Sequence, residues 1–342
     1  MKILITGGCG FIGSNLSIFL KKKRLNIFSL DNLYRKGSEL NEKRLKENKI
    51  KNFRIDICNK SQINKLPKFD LVIDCCAEPS VSASIDELDR VINTNLFGTF
   101  NILKKCNTDK TKIIFLSSSR VYSLDSLKRL IPKNILNQPI NIKKKIDMSF
   151  SISGAKSMYG FSKFASEELI KEFSYIYGLD YIINRCGVIA GPWQFGKVDQ
   201  GFFSLWIWSH INKKNLNYIG FGGQGHQIRD VLHIDDLCEL ILKQIRNIKK
   251  IKNKSFSIGG GLSNSISLKK LTKISENITK NKIKINPIKK TSAYDIPYFV
   301  SSNKYVSSTY GWKPKNSLIR IASDIYKWQL TNYKSLKHIL NQ

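Results

Sequence analysis

The chain has 342 residues, enough for about two domains, and its 42% hydrophobic and 24% charged residues are typical of a globular protein. No run of about 18 apolar residues occurs, and the N-terminus enters a strand and a glycine turn directly, so we expect no membrane span, no signal peptide and a cytoplasmic location. The net charge of +31 would suit a nucleic-acid partner, but the basic residues are dispersed, so we attribute the charge to compositional bias and expect no nucleic-acid partner.

The first half of the chain alternates short apolar segments with helical ones. We predict strands at 2–6, 26–31, 52–57, 71–75, 112–116 and 181–185, and helices at 13–23, 90–106 and 159–177. A polar and basic segment at 124–150 interrupts this alternation, and loops of that length are usually functional or mobile. After residue 185 the pattern is mixed, with a glycine-rich loop, an aromatic helix and further short elements. We expect the aromatic segment FFSLWIW to pack in a core or an interface, in preference to forming a stacking platform.

Alternating strands and helices are typical of a parallel sheet that helices cover on both faces. We therefore predict an α/β fold with a Rossmann-type doubly wound parallel sheet in residues 1–185, which include the insert 124–150 and bind a nucleotide cofactor. Residues 186–342 are predicted to form a smaller mixed α/β substrate lobe, partly interleaved with the first domain.

The segment TGGCGFIGSN follows the first strand and opens a helix. It satisfies GxGxxG, in which glycines permit a tight turn, a close approach of the backbone to a pyrophosphate and close packing of helix on strand. The free N–H groups of the helix N-terminus would bind the phosphates. In place of a plain glycine turn, we predict a cofactor loop whose binding residues are Gly7, Gly10, Phe11, Ile12 and Gly13.

Asp31 ends the second predicted strand, 18 residues beyond Gly13. A carboxylate there accepts hydrogen bonds from the adenosine ribose and repels a 2′-phosphate, which favours NAD over NADP, although Arg35 and Lys36 follow closely. We assign Asp31 and Asn32 to this contact. Asp56 and Ile57, after the third strand, suit an adenine contact, and an N-cap aspartate is the alternative interpretation of Asp56.

The segment YGFSK places Tyr159 and Lys163 four residues apart, on one face of a predicted helix. An ammonium group beside a phenol lowers the pKa of the phenol, so that a tyrosinate can act as a base near neutral pH. The apolar segment KIIFL ends in SSSR, whose Ser118 would bind the substrate hydroxyl that Tyr159 deprotonates. We predict Ser118, Tyr159 and Lys163 as the catalytic residues.

These motifs together resemble the extended short-chain dehydrogenase/reductase family, which contains nucleotide-sugar epimerases and dehydratases. The resemblance extends from Met1 to about Trp328. It implies transfer of a hydride between a sugar carbon and the nicotinamide of NAD, a nucleotide-diphosphate sugar as the substrate, and a homodimer or other homo-oligomer. It also implies that Asn95 faces the cofactor and that Ala77, in CCAEPS, lies along the nicotinamide ribose.

Dehydratases of this family carry an Asp-Glu pair directly after the hydroxyl residue, where it protonates and deprotonates during the loss of water. The matching positions here are Ser119 and Arg120. Because a guanidinium stays charged and cannot act as a carboxylic acid, dehydration is disfavoured. Epimerisation by transient oxidation to a keto-sugar and return of the hydride to the other face needs no such pair.

Within the family, the chain resembles the CDP-paratose (CDP-tyvelose) 2-epimerase branch. The resemblance lies in DNLYRKGSELN, SRVYS, GPWQFGKVDQG and GFGGQGHQIRDVLHIDDL, and in the long interval between Ser118 and Tyr159. It implies epimerisation at C2 of a CDP-sugar, with Arg229 on the pyrophosphate. The predicted substrate-binding residues are Ser84, Arg120, Gln194, Asp199, Gln200 and Arg229, and we predict no metal site, since none of the seven cysteines has CxxC spacing.

The sequence leaves two other functions open. One is a UDP-sugar C4-epimerase, which would use the same catalytic set with a different sugar pocket. The other is a non-catalytic NAD-binding or regulatory protein of the same fold. The intact Ser118, Tyr159 and Lys163 argue against the second, because NAD binding alone does not require the hydroxyl pair. His233 is either an ordinary packed histidine or a functional residue.

Overall fold

The computed structural model describes residues 1–79, 87–131, 138–197 and 200–340. The chain divides into two compact units, each assembled from three segments. The first unit contains Met1–Val121, Ser157–Arg185 and Leu237–Phe256, and the second contains Tyr122–Lys156, Cys186–Asp236 and Ser257–Gln342. The insert that we predicted inside the first domain is therefore part of the second unit. The assignment of one unit to the cofactor and the other to the substrate stays a prediction.

The described residues form short strands in both units. They are β1 (Lys2–Thr6), β2 (Asn26–Leu30), β3 (Lys51–Phe53), β4 (Leu71–Asp74), β5 (Lys112–Ser118), β6 (Tyr181–Cys186), β7 (Val188–Ala190), β8 (Leu216–Ile219), β9 (Ile228–His233), β10 (Lys254–Ile258), β11 (Ser265–Ser267), β12 (Ile285–Ile288) and β13 (Tyr298–Phe299). All six strands predicted in the first half are present. The third is shorter than predicted, because the N–H of Ile55 turns back to the carbonyl of Phe53 at 2.9 Å.

Helices of very different lengths connect these strands. In the described residues they are α1 (Phe11–Lys22), α2 (Ser38–Glu47), α3 (Lys60–Asn64), α4 (Leu88–Ile92), a π-helix (Asn93–Phe97), α5 (Gly98–Asp109), α6 (Leu124–Lys128), α7 (Met158–Tyr177), α8 (Phe202–Ile211), α9 (Ile234–Asn247), α10 (Leu268–Thr279), α11 (Lys304–Tyr310), α12 (Leu318–Thr331) and α13 (Tyr333–Leu340). The helix predicted at 90–106 is divided by the π-helical turn. No helix in these ranges is long and apolar enough to cross a membrane.

A seven-stranded sheet organises the first unit, in the order β3-β2-β1-β4-β5-β6-β10. Strand β1 runs parallel to β2 and β4, β2 runs parallel to β3, and β4 runs parallel to β5. The order 3-2-1-4-5-6 is that of a Rossmann fold. The predicted doubly wound fold is thus confirmed, and the carboxyl ends of β1, β2 and β5 lead to the glycine turn, Asp31 and Ser118 respectively.

The second unit has two smaller sheets. In one, β9 is antiparallel to β11 and parallel to β13 and β7, and in the other β8 pairs with β12 in parallel. The aromatic helix α8 supplies buried Phe203, Trp206 and Trp208 to an apolar core shared with α10 and α12. The expectation that the aromatic segment packs in a core is confirmed.

In the described parts of the insert, residues 124–131 and 138–150, hydrogen bonds hold several groups that the sequence pattern assigned to a polar loop. The insert opens with α6, whose first turn is capped by the Ser123 hydroxyl, an acceptor for the N–H of Ser126 at 3.3 Å. Ile146 is fully buried, and its N–H and carbonyl bond the backbone of Val300 and Ser302 at 2.7 and 2.8 Å. The Tyr298 hydroxyl donates to the carbonyl of Lys144 at 2.6 Å. These bonds fix residues 144–146 along β13 of the same unit.

Asp230, in the middle of β9, is a fully buried carboxyl group. Its Oδ2 accepts the N–H groups of Gly261 and Ser301 at 2.9 and 3.0 Å. A Cβ added to Gly259 would lie 2.3 Å from the same oxygen, so the glycine is needed for this close approach. Burial raises the pKa of Asp230 to about 6, against which the backbone N–H bonds act only partly.

This raised pKa predicts a pH dependence of stability. Because the folded pKa of about 6 exceeds the ordinary value of 3.8, the contribution of Asp230 is fully present below about pH 4 and is lost as the pH rises through 6. Asp230→Asn cannot ionise, so its unfolding free energy should rise relative to wild type by roughly 2.5 kcal/mol between pH 4 and 7. Urea unfolding at both pH values measures this. Asp89→Asn, at an exposed carboxylate, is the control, and parallel pH curves for wild type and Asp230→Asn would contradict the assignment.

Candidate active site

The turn between β1 and α1 has the geometry that the glycine motif predicts. Gly7 has a φ of +60°, and a Cβ there would lie 2.8 Å from the Cα of Cys76. A Cβ on Gly13 would lie 2.2 Å from the carbonyl oxygen of Gly7. The N-cap of α1 is Gly10, and no side chain of the described residues caps the helix there. The N–H groups of Phe11 and Ile12 in the first turn therefore suit the pyrophosphate of a dinucleotide, and we conclude that the residues present fit NAD.

Asp31 lies at the end of β2, beside this turn. Its Oδ2 accepts the N–H of Cys9 at 3.0 Å, and its Oδ1 accepts the N–H of Leu33 at 2.8 Å. Burial raises the pKa of the Asp31 carboxyl, while these two bonds and the nearby charge of Arg35 act in the opposite direction. Asp31 is thus held beside the glycine turn, and its contact with the ribose of NAD stays a prediction.

The structure excludes one of the two interpretations of Asp56, the N-cap aspartate. The N-cap of α3 is Asn59, so Asp56 is not the N-cap. Asp56 instead accepts the N–H of Cys58 at 2.7 Å and the side-chain amide of Asn32 at 2.8 Å. Ile57 is buried, and a Cβ added to Gly98 would lie 2.5 Å from its Cγ2. An adenine contact of these residues stays a prediction.

Asn95 holds the loop after β4, which contains Ala77, to α7. Its Oδ1 accepts the N–H of Glu78 at 2.7 Å, and its Nδ2 donates to the Glu78 carbonyl at 3.1 Å and to the Ser162 hydroxyl at 3.0 Å. These bonds engage all the polar atoms of a fully buried amide. Asn95 therefore positions the loop, and its own contact with the cofactor stays a prediction, as does that of Ala77.

The three predicted catalytic residues lie in the first unit, on β5 and α7. Ser118 ends β5, is 8% exposed, and its Oγ accepts the N–H of Arg120 at 3.2 Å. Helix α7 begins at Met158, because the Ser157 hydroxyl accepts the N–H of Gly160 at 3.1 Å. This cap places half-buried Tyr159 in the first turn and Lys163 one turn later. Lys163 is 2% exposed, with its Nζ 4.3 Å from the centre of the Phe115 ring on β5.

A buried ion pair that was not predicted from the sequence joins α7 to β6, and its carboxylate also bonds β5. Glu167, one turn beyond Lys163, accepts the Ser117 hydroxyl, so the residue before Ser118 is bonded to α7. Arg185 on β6 donates to Glu167 from Nε at 3.0 Å and from Nη2 at 2.7 Å, and both side chains are at most 3% exposed. In the sequence, the i, i+4 spacing shows that Glu167 lies on the same helix face as Lys163. No sequence pattern identifies Arg185 as the partner of Glu167.

The predicted substrate residues are distributed over both units. Ser84 and Asp199 lie outside the described residues. Arg120 is in the first unit, while in the second unit the Gln194 amide donates to the Ile189 carbonyl at 3.0 Å. Gln200 exchanges backbone hydrogen bonds with Lys197 at 2.6 and 3.2 Å. Their contacts with a substrate stay predictions.

Arg229 and His233 lie at opposite ends of β9. Arg229 donates from Nη2 to the Asp295 carboxylate at 2.9 Å and to the Ile296 carbonyl at 2.6 Å. A pyrophosphate would have to share this guanidinium with Asp295, so that role also stays a prediction. His233 is 1% exposed, and its Nδ1 accepts the N–H of Asp235 at the start of α9 at 3.0 Å. It is a packed, helix-capping histidine.

The sheet order and the glycine turn define a Rossmann-type nucleotide-binding protein, and the Ser, Tyr and Lys set is typical of short-chain dehydrogenases/reductases. The model of the NAD dependent epimerase/dehydratase family matches residues 3–259, and the chain belongs to this family. It is an NAD-dependent enzyme.

Individual epimerases are similar to this chain over nearly its whole length. CDP-paratose 2-epimerase of Salmonella typhi is 30% identical over 96% of this chain and 99% of its own length. A putative UDP-glucose 4-epimerase of Methanocaldococcus jannaschii is 29% identical over 97% of this chain and 100% of its own. In fold, the chain is similar to the UDP-glucose 4-epimerase of Thermotoga maritima, with a TM-score of 0.81, 22% identity, and coverage of 97% of this chain and 100% of that one.

Proposed function

We propose that this enzyme epimerises a nucleotide-diphosphate sugar at C2, with a CDP-sugar as its substrate. The observation that carries the proposal is the set of Ser118, Tyr159 and Lys163 on β5 and α7. Arg120, two residues after Ser118, lies where a dehydratase would have a carboxylic acid. The relative named CDP-paratose 2-epimerase, which matches nearly the whole of both chains, supports the choice of nucleotide and carbon.

In the proposed mechanism the protein moves a proton and holds the sugar. NAD, when bound, supplies the acceptor and then the donor of a hydride. Tyr159 removes the proton of the substrate hydroxyl at its Oη and returns it after inversion. Ser118 orients that hydroxyl, and its Oγ is held by the N–H of Arg120. The ammonium of Lys163, buried beside Phe115, stabilises the negative charge of the phenolate.

Arg120 disfavours the loss of water as an alternative outcome. A dehydratase needs a carboxylic acid beside the hydroxyl residue to protonate the leaving hydroxyl, and a guanidinium cannot supply that proton. Arg120 instead offers a fixed positive charge, which we propose for contact with an anionic group of the substrate.

A UDP-sugar C4-epimerase is the second candidate. The observation in its favour is the similarity to the putative UDP-glucose 4-epimerase of Methanocaldococcus jannaschii, at nearly the same identity and coverage. Both reactions use one catalytic set, so the two candidates differ only in which base and which ring carbon the protein selects.

One experiment distinguishes the candidates. Denaturation of the purified protein releases its nicotinamide cofactor for identification, and the native enzyme is incubated with a panel of CDP- and UDP-sugars in deuterated water. We expect NAD, and inversion at C2 of a CDP-sugar without deuterium uptake, detected by NMR. Inversion at C4 of a UDP-sugar would establish the second candidate. Uptake of solvent deuterium at the inverted carbon would contradict hydride return, and absence of turnover with every sugar would favour a non-catalytic protein.

We further propose a cytoplasmic homodimer. All seven cysteines are free thiols, which supports a reducing compartment. Three large apolar side chains are exposed on neighbouring helices of the first unit: Leu88 on α4 (45%), Phe97 on the π-helix (52%) and Phe161 on α7 (45%). An exposed apolar surface of this kind marks a protein interface, and we assign it to a second copy of the chain.

If this surface forms the dimer interface, charged substitutions within it should weaken dimerisation. Phe97→Glu with Phe161→Glu should raise the dimer dissociation constant at least about tenfold, since each ring contributes roughly 1.5–3 kcal/mol when buried. Light scattering after size-exclusion chromatography measures the change. Tyr175→Glu, at a 90% exposed residue near the end of α7, is the control and should stay dimeric. A monomeric wild type, or a dimeric double variant, would contradict this interface.

A further inference from the structure

The last residue of β4, Asp74, is a buried carboxylate that forms no ion pair with any described residue. Its Oδ1 accepts the Thr6 hydroxyl at 2.6 Å and the N–H of Cys76 at 3.1 Å. Its Oδ2 accepts the Thr99 hydroxyl of α5 at 3.1 Å. All three partners are neutral donors, and burying a charge that has no counter-ion is costly. A cation that binds nearby would therefore be favoured.

Asp74 lies where the order of the strands reverses. The chain goes from β1 outward through β2 to β3, and β4 then follows on the other side of β1. Thr6 and Asp74 are register partners at the carboxyl ends of β1 and β4, so their hydrogen bond joins the two strands at this edge. In open α/β sheets, ligands bind outside the carboxyl ends of the strands at this reversal.

The groups along this edge define the course of a bound dinucleotide. Asp31 at the end of β2 suits the adenosine ribose, and the turn after β1 suits the pyrophosphate. The predicted catalytic residue Ser118 ends β5, and β4 lies between β1 and β5, with neighbouring strands about 4.8 Å apart. A dinucleotide that extends from Asp31 to Ser118 therefore crosses the end of β4, where its nicotinamide half comes close to Asp74.

The surroundings of Cys76 connect this carboxylate to the predicted catalytic helix. Burial raises the pKa of the Cys76 thiol, the negative charge of Asp74 adds to this effect, and the positive charge of Lys163 opposes it. Asp74 and Lys163 therefore both lie near Cys76, within reach of each other's electrostatic field. The carboxylate thus belongs to the surroundings of the reaction, although it takes no part in the transfer of the proton.

The nicotinamide ring is positively charged when oxidised and neutral when reduced. A fixed negative charge beside the ring therefore binds the oxidised cofactor more tightly than the reduced one. We propose that Asp74 stabilises bound NAD⁺ relative to NADH, and so favours return of the hydride to the keto-sugar. The return of the hydride rests on the proposed function, whereas the difference in binding requires only the dinucleotide site.

The test measures the dissociation constants of NAD⁺ and NADH for the full chain freed of nucleotide, by calorimetry and without sugar. In Asp74→Asn the ratio of the NADH constant to the NAD⁺ constant should fall roughly tenfold, as expected for unit charges about 10 Å apart at an effective dielectric constant of about 20. The reduction potential of the bound couple should then rise by about 30 mV. The asparagine can still bond Thr6 and Thr99, and Asp74→Ser removes the same charge if Asp74→Asn does not fold.

Two control variants separate the charge of Asp74 from its position and its hydrogen bonds. Asp70→Asn removes a 57% exposed carboxylate beside the opposite end of β4, about 13 Å away along the strand. Thr99→Val removes one hydrogen bond of Asp74 and keeps the charge. In both, the ratio should stay within about twofold of wild type, because water screens the exposed charge and the buried charge is retained.

An unchanged ratio in the neutral Asp74 variants would overturn the proposal, as would an equal fall in Asp70→Asn or Thr99→Val. A wild type that binds neither form of the cofactor would overturn the dinucleotide site itself. A wild type that binds both forms with the expected ratios but inverts no sugar would overturn only the proposed epimerase function, so the failures are distinguishable.

Discussion

Tyr159→Phe is expected to lower turnover of the nucleotide sugar by roughly 10²–10⁴-fold, the contribution of a general base, while NAD stays bound. The substitution removes a single oxygen from the first turn of α7 and leaves the Ser157 cap in place. Lys163 lies one turn further along and remains buried, so the fold around the cofactor should be unchanged. Turnover is measured by NMR and retained NAD by its release on denaturation.

The matched control for this substitution is Tyr175→Phe, on the same helix. Tyr175 is 90% exposed near the end of α7, so removal of its hydroxyl should leave both turnover and NAD content at the wild-type level. Wild-type turnover in Tyr159→Phe would show that another group removes the proton. Loss of NAD from Tyr159→Phe would show that the hydroxyl acts in binding.

Glu167→Gln is expected to destabilise the protein by roughly 3–5 kcal/mol, since it leaves the buried charge of Arg185 without its partner. Glu167 and Arg185 are 0% and 3% exposed, so water cannot replace the missing carboxylate. The same change weakens the bond from Ser117, which joins β5 to α7. The free energy of unfolding in urea measures this loss.

Glu168→Gln controls for the removal of a glutamate from α7. Glu168 is 47% exposed and pairs with Lys171 at 2.6 Å, an exposed ion pair worth at most about 1 kcal/mol. A loss as small in Glu167→Gln as in Glu168→Gln would contradict the structural role of the buried pair.

The elements that the sequence predicted best are those with a short-range cause. Strand β1 is an apolar run that ends at the glycine turn. Helix α7 begins after the Ser157 cap and ends before Gly178, which has a φ of +70°. Both causes are visible within a few residues, so the start and end of each element follow from local chemistry. The glycine loop and the spacing of Tyr159 and Lys163 were predictable for the same reason.

What the sequence could not provide depends on partners that are far apart along the chain. The insert has the composition of a polar loop, and the bond from Ile146 to Val300 could not be predicted because the two residues lie far apart along the chain. Glu167 and Arg185 come into contact only when β6 lies beside β5 in the folded sheet. Glu78 and Arg35 likewise come close only when the loops after β2 and β4 meet. The two residues of such an ion pair have no characteristic spacing along the chain. The sequence therefore shows which residues are charged but not which of them pair.

The interleaving of the two units has a consequence for synthesis on the ribosome. The first unit is not complete until residue 256 of 342 has left the exit tunnel, and the second begins at residue 122 and needs the C-terminal segments. The first unit therefore cannot finish folding before much of the second has been made, in contrast to the usual order in which an N-terminal domain folds before the next one is synthesised. A nascent chain stalled after residue 185 should therefore expose the β6 edge that β10 later covers, and should recruit chaperones.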